Sequence, residues 1–204
     1  MVLDTSGLAR GCGDLAPRPL TPPDRWLRLP RGNLHSAVVI ADRDLVVTTQ
    51  EIYGPGACPY GRVHLIDVAD PTAPRIVGAF GIPENDPASC HATATRDGAF
   101  TTHNPLVVGE IAFVSWYAGG LRAIDLRDPA SPRQSGVFVP QPLPGVAADD
   151  FSLGSYPVQM WSSPILREGL IFVVDIRNGL FVLRYTGRGA AAISKVSFAE
   201  GNAT

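Results

Sequence analysis

The segment "LIDVADPTAPRIVGAF" at residues 65–80 is followed, 58 residues later, by "AIDLRDPASPRQSGVF" at 123–138. The two copies share the skeleton Asp67-x-x-Asp70-Pro71-x-x-Pro74-x-x-x-Gly78-x-Phe80. The second runs Asp125-x-x-Asp128-Pro129-x-x-Pro132-x-x-x-Gly136-x-Phe138, without a gap. Self-similarity at a period of a few tens of residues marks an architecture built from stacked supersecondary units. Within each unit the Asp-Pro pair starts a tight turn: the carboxylate accepts from the backbone ahead, and proline presets its own φ.

Strand-like runs surround each copy. "DLVVTTQE" (44–51), "EIAFVSWY" (110–117) and "GLIFVVDI" (169–176) lead into "RVHLIDV", "GLRAIDL" and "GLFVLRY". Ahead of them stand "HSAVVI" (35–40), "HNPLVV" (103–108) and "WSSPIL" (161–166), and after the Asp-Pro turns come "RIVGAF" and "RQSGVF". Four consecutive short antiparallel strands per unit predict the blades of an all-β propeller. A β-sandwich is the alternative, but it has no reason to repeat at this interval. Composition agrees: 21 Gly and 19 Pro among 204 residues favour turns and short strands over long helices.

The predicted organisation is a single propeller portion over 1–204, with a partial blade at 1–34 and a blade at 35–80. A loop plus blade follows at 81–138, and a loop plus terminal blade at 139–204. "MVLDTS" is expected to be a third strand, "DRWLRL" (24–29) a fourth, and "AISKVSF" (192–198) the outer strand of the last blade. Three blades and a part do not close a ring, so the chain is expected to be the C-terminal portion of a longer propeller, or to self-associate through unpaired blade faces.

The repeated segments resemble LVIVD repeats, found in β-propeller proteins that are often bacterial and secreted or surface-attached. The resemblance covers residues 35 to 186, and Arg184 departs from it where the other units carry Asp67 and Asp125. It implies a propeller module of unassigned activity, outside the cell or on its surface. More distantly, the chain is similar to selenium-binding proteins, propellers that act as methanethiol oxidases through histidine-bound copper; no motif here is specific enough to carry that activity over.

Function is expected on the face bearing the long connections at 52–61, 81–102 and 140–160, since long loops in compact domains are usually functional or disordered. Aligning the units places His35, His103 and Trp161 together at the start of the innermost strands. It also groups Gln50, Trp116 and Asp175 at the ends of the second strands, with Glu51 and Tyr117 one place on. Three readings remain open. The histidines tie neighbouring blades through backbone hydrogen bonds. A protein, peptide or glycan is held against Trp116, Tyr117, Trp161, Gln50 and Asp175. Or His35, His103 and Glu51 bind a transition metal in an oxidoreductase, imidazole and carboxylate both being suitable ligands. Of these the noncatalytic binding module is preferred.

Other chemistry finds little footing. His64 reads as a satisfied strand histidine, His91 as a solvated loop residue, and Asp67 and Asp125 as turn-formers. There is no GxSxG, P-loop or GxGxxG after a strand. A formal charge of −2 gives no electrostatic case for nucleic acid, and no apolar run is long enough for a membrane helix. Cys58 and Cys90 both fall in loops and are candidates for a disulfide or for two free thiols, while Cys12 stands alone. "MVLDTSGLARG" lacks the pattern of a signal peptide, so either the protein is cytosolic or a longer precursor exists.

Overall fold

The structure, a computed structural model, describes residues 1–4, 17–53, 57–93, 99–145 and 156–201. Cys12 lies outside the described residues, as does the side chain of His91. The described residues form an all-β fold of three four-stranded antiparallel sheets and one two-stranded sheet.

The first sheet is a meander of β3 (Leu34–Ile40), β4 (Leu45–Gln50), β5 (Val63–Asp67) and β6 (Arg75–Phe80), preceded by the hairpin β1 (Leu3–Asp4) and β2 (Arg18–Pro19). The second repeats that order with β7 (Pro105–Val108), β8 (Ile111–Ser115), β9 (Leu121–Asp125) and β10 (Arg133–Phe138). Equivalence extends to an irregularity. Leu65 faces Gly78 and Ile66 faces Ile76, leaving Val77 over; Ala123 faces Gly136 and Ile124 faces Gln134, leaving Ser135 over. Each outer strand thus carries a β-bulge at the same place in the repeat.

Gly78 sits beside that bulge for a steric reason. A Cβ on Gly78 would lie 2.0 Å from the Pro129 carbonyl oxygen, in the Asp-Pro turn of the next unit. The first two units therefore approach closely there, and only a residue without a side chain fits, whereas a Cβ on Gly136 would meet only side-chain atoms of Ala123 and Tyr185 at 3.4 Å.

The second sheet is buried on both faces. Every residue of β8 is buried. Ala112 and Val114 pack with Val47, Val63 and Leu65 of the first sheet, while Ile111 and Phe113 pack with Leu166, Ile171 and Val173 beyond. Strand alternation sends successive side chains to opposite faces, which is why the run "IAFVS" is apolar almost throughout.

The third sheet differs. Its strands β11 (Ile165–Arg167), β12 (Leu170–Asp175) and β13 (Gly179–Leu183) continue the meander. Residues 192–198 do not supply its outer strand. Ala190–Ile193 is a short helix, and β14 (Phe198–Glu200) pairs with β11 at the opposite edge. The reason is packing: Ile193 buries itself with Ile111 and Leu166, so the chain turns back along the sheet. It then runs beside β7, where a Cβ on Gly201 would stand 2.1 Å from the Pro105 carbonyl oxygen.

The amino-terminal expectation is corrected in part. Leu3–Asp4 is a strand, but it pairs with Arg18–Pro19, and the expected strand at 24–29 begins as a 3-10 turn over Pro23–Arg25. Pro22 and Pro23 lack the N–H groups a ladder needs, and both preset φ for a turn.

Both end sheets expose apolar side chains. The third sheet shows Leu180 at 60%, Val182 at 51% and Phe198 at 57% exposure, and the first shows Val39 at 62%. No helix among the described residues is long and apolar enough to cross a membrane.

Candidate functional site

Glu51 follows β4, His35 lies in β3, and His103 stands two residues before β7. The site therefore draws on two sheets. His103 reaches its place because its backbone N–H donates to the Ser115 carbonyl at 2.9 Å, extending the β7–β8 pairing beyond β7 itself. The His35 and His103 rings have centroids 4.3 Å apart. Each Nε2 lies 3.6 Å from a different oxygen of Glu51, His35 from Oε2 and His103 from Oε1. One nitrogen or oxygen from each of the three residues lies within 4.8 Å of the others.

A hydrogen bond assigns the His103 tautomer. The indole N–H of Trp161 donates to His103 Nε2 at 2.6 Å. Because indole nitrogen only donates, Nε2 carries the lone pair. Nδ1–H then donates to the Trp161 carbonyl at 2.6 Å. On the other ring, His35 Nδ1 lies 2.7 Å from Ser36 Oγ, which stands 2.8 Å from the Asn104 side-chain amide; the other end of that amide meets His103 Nδ1 at 2.8 Å. Both imidazoles are thus held from the Nδ1 side and turn Nε2 toward Glu51. Backbone or side-chain partners on the far nitrogen orient metal-binding histidines in the same way.

Electrostatics favours the same state. Burial, assisted by the neighbouring His35 and opposed by the Trp161 carbonyl, lowers the His103 pKa to about 4. The ring is neutral at pH 7, with its Nε2 lone pair engaged by the Trp161 indole N–H. Tyr117 donates its hydroxyl proton to Glu51 Oε1. Burial first, then the Glu51 carboxylate, pushes the phenol well above its ordinary range, so Tyr117 serves as a donor that orients the carboxylate. Its backbone lies in the left-handed region at φ 32°, a conformation that costs a bulky residue on the order of 1–3 kcal/mol. The Met160 and Gly120 N–H groups hold it there by donating to its carbonyl at 3.0 Å each.

Three residues expected on a ligand face have structural roles instead. Trp116 is fully buried; it donates its indole N–H to the Phe100 carbonyl at 2.9 Å and packs edge-on against Phe80. Asp175, also fully buried, accepts from the Gln159, Arg177 and Asn178 backbone N–H groups. Gln50 donates to the carbonyls of Pro30 and Gly32 at 2.7 Å each, tying down the approach to β3. Buried polar groups need such partners, and these residues have found theirs in the chain. Trp161, Tyr117 and Glu51 stay at the site, as do both histidines. His64 packs in its sheet beside Gln50 Oε1 at 3.4 Å.

Ser36 and Asn104 were missed. A signal was present: the residue after each aligned histidine, in "HS" and "HN", is short and polar. Tyr53, edge-on to Tyr117 at 6.3 Å, carried none.

The long connections support the site from outside. A disulfide joins Cys58 and Cys90. Asn85 donates to the Gly61 and Phe100 carbonyls and accepts from the Ile82 N–H, pinning one insertion against the other. Thr101 and Thr102 donate their hydroxyls to the Gln50 carbonyl, immediately before Glu51. The chain matches no protein-family model and no curated protein.

Proposed function

We propose that this chain is a portion of a β-propeller carrying a divalent transition-metal centre, with His35, His103 and Glu51 as ligands, at the end of its innermost strands. One observation carries the reading: two imidazoles from different sheets, each held from its Nδ1 side, aim their Nε2 atoms at the two oxygens of one carboxylate. The 3.6 Å separations are beyond hydrogen-bond distance, and a cation would take His103 Nε2 in place of the Trp161 indole N–H that occupies it. Ligand atoms about 2.0–2.2 Å from zinc at tetrahedral angles stand about 3.4 Å apart, so the two 3.6 Å pairs need little closure.

Two imidazoles with one carboxylate suit zinc, iron or copper over magnesium or calcium. Three protein ligands leave positions for an outside molecule, and bound metal would supply Lewis acidity there. The partly exposed His35 and Glu51 side chains keep the position reachable. The serial meander of the sheets, the shared bulge and the meeting of His35, His103 and Trp161 at one end support the propeller reading. The LVIVD likeness rests on the repeated Asp-Pro segments alone. The alternative, a noncatalytic module for a protein, peptide or glycan, loses Trp116, Gln50 and Asp175 to structural roles.

Elemental analysis of protein purified without chelator tests the metal. One zinc, iron or copper ion per chain is expected, with loss in His35→Ala/His103→Ala. Substoichiometric metal in the wild type after reloading, or full retention in the double variant, would overturn the assignment.

A further inference from the structure

Trp161 grips His103 from two sides. Its carbonyl accepts from Nδ1–H, and its indole N–H donates to Nε2, each at 2.6 Å. The second bond uses the lone pair that the metal reading assigns to a cation. One lone pair serves one partner at a time.

We propose that Trp161 is a competitor built into the site: a cation takes His103 Nε2 only when the indole N–H leaves it. This rests on the metal reading of the same residues. The backbone around Trp161 is tied down. The Met160 N–H donates to the Tyr117 carbonyl at 3.0 Å, and the Trp161 and Ser162 N–H groups donate to the Val174 carbonyl at 3.3 and 3.4 Å. Displacement is therefore confined to side-chain rotation, and the carbonyl keeps holding Nδ1–H while the ring moves. Room for that rotation exists, because Trp161 is 41% exposed, unlike the fully buried Trp116.

The consequence is a raised threshold. Every cation must displace the same hydrogen bond, so each affinity falls by the same factor, and the preference of imidazole for zinc and copper over magnesium, calcium and manganese is left unchanged. Trp161 also makes occupancy visible, since its indole moves from a half-covered, hydrogen-bonded position into water.

The experiment is a titration with Zn²⁺ alone, which is redox-inert, of metal-stripped wild-type, Trp161→Phe, Trp161→Leu and His103→Ala proteins. Bound zinc is measured directly and tryptophan emission is followed in parallel. Wild type is expected to bind one zinc with a change in emission. Both Trp161 variants are expected to bind roughly three- to tenfold more tightly, the fold-change of one net hydrogen bond removed, and to lose the emission change. Wild-type binding with equal or weaker affinity in both variants would overturn the competitor while leaving the metal site standing. Failure of wild type to bind, or full binding by His103→Ala, would overturn the metal assignment itself. Phe keeps a ring against His103 and Leu does not, so agreement between them separates the N–H from ring packing.

Discussion

The two ends of the first and second sheets are held together in different ways. At the Asp-Pro end the turn carboxylates are satisfied locally. Bonds between segments there are few among the described residues and go to backbone carbonyls, as from Arg43 to Leu126 and Arg127 and from Thr21 to Pro71. Asp67 accepts from the Ala69 N–H at 2.9 Å, Asp70 from Thr72 at 2.9 Å, Asp125 from Arg127 at 3.0 Å and Asp128 from Ala130 at 3.0 Å. At the site end they span the chain. Ser36 reaches Asn104, Tyr117 reaches Glu51, Thr102 reaches Gln50 and Trp161 reaches His103, across separations of 52 to 68 residues. A turn that satisfies itself can be repeated unchanged from unit to unit. Side chains that satisfy one another across units must differ, because each has a different neighbour. The repetitive end is scaffold, and the divergent end is where chemistry can collect.

Substitutions should separate the two ends. The largest effect is expected from Trp116→Ala, which opens the core beneath the site. A loss of about 3–5 kcal/mol of stability should appear as a much lower melting temperature, with zinc affinity altered only as far as the fold is. Retained stability with selective loss of a ligand would return Trp116 to a binding role. Next comes Asn104→Ala, which removes the buried side-chain partner of Ser36 and of His103 Nδ1. About 1–3 kcal/mol is expected by denaturant titration, together with weaker zinc binding, since His35 loses its orientation.

A smaller effect should follow pH in chelator-treated protein. The unfolded His103 binds a proton below about 6.5, whereas the folded ring resists protonation down to about 4. Between these values the unfolded state holds more protons, so stability rises with pH and is lost as pH falls through the window. The melting temperature should climb from pH 4 to pH 6.5 more steeply in wild type than in His103→Gln. Equal slopes would remove His103 as the cause.

The smallest effect belongs to the turn end. The backbone bond from Ala69, then Arg75, holds Asp67 below the usual carboxylate range, and Arg127 does the same for Asp125. Both carboxylates keep their turns until well into acid. Asp67→Ala and Asp125→Ala should lower the melting temperature slightly and leave zinc stoichiometry unchanged. A lost metal would mean the two ends communicate.

By itself the sequence determined the local half of this protein: the strand meanders, the Asp-Pro turns, and the alignment that groups His35 with His103 and Glu51 with Tyr117. Those properties depend on period and turn chemistry, which neighbouring residues carry. Only the tertiary structure decided which aligned residues face the site. Gln50, Trp116 and Asp175 share one alignment column, yet all three are absorbed by hydrogen bonds or packing to segments far along the chain. The pairing of β14 with β11 and not with β13 was equally hidden, because an isolated strand has two hydrogen-bonding edges and its sequence does not say which partner is free. Burial and pairing between distant segments set both outcomes, and no local pattern encodes them.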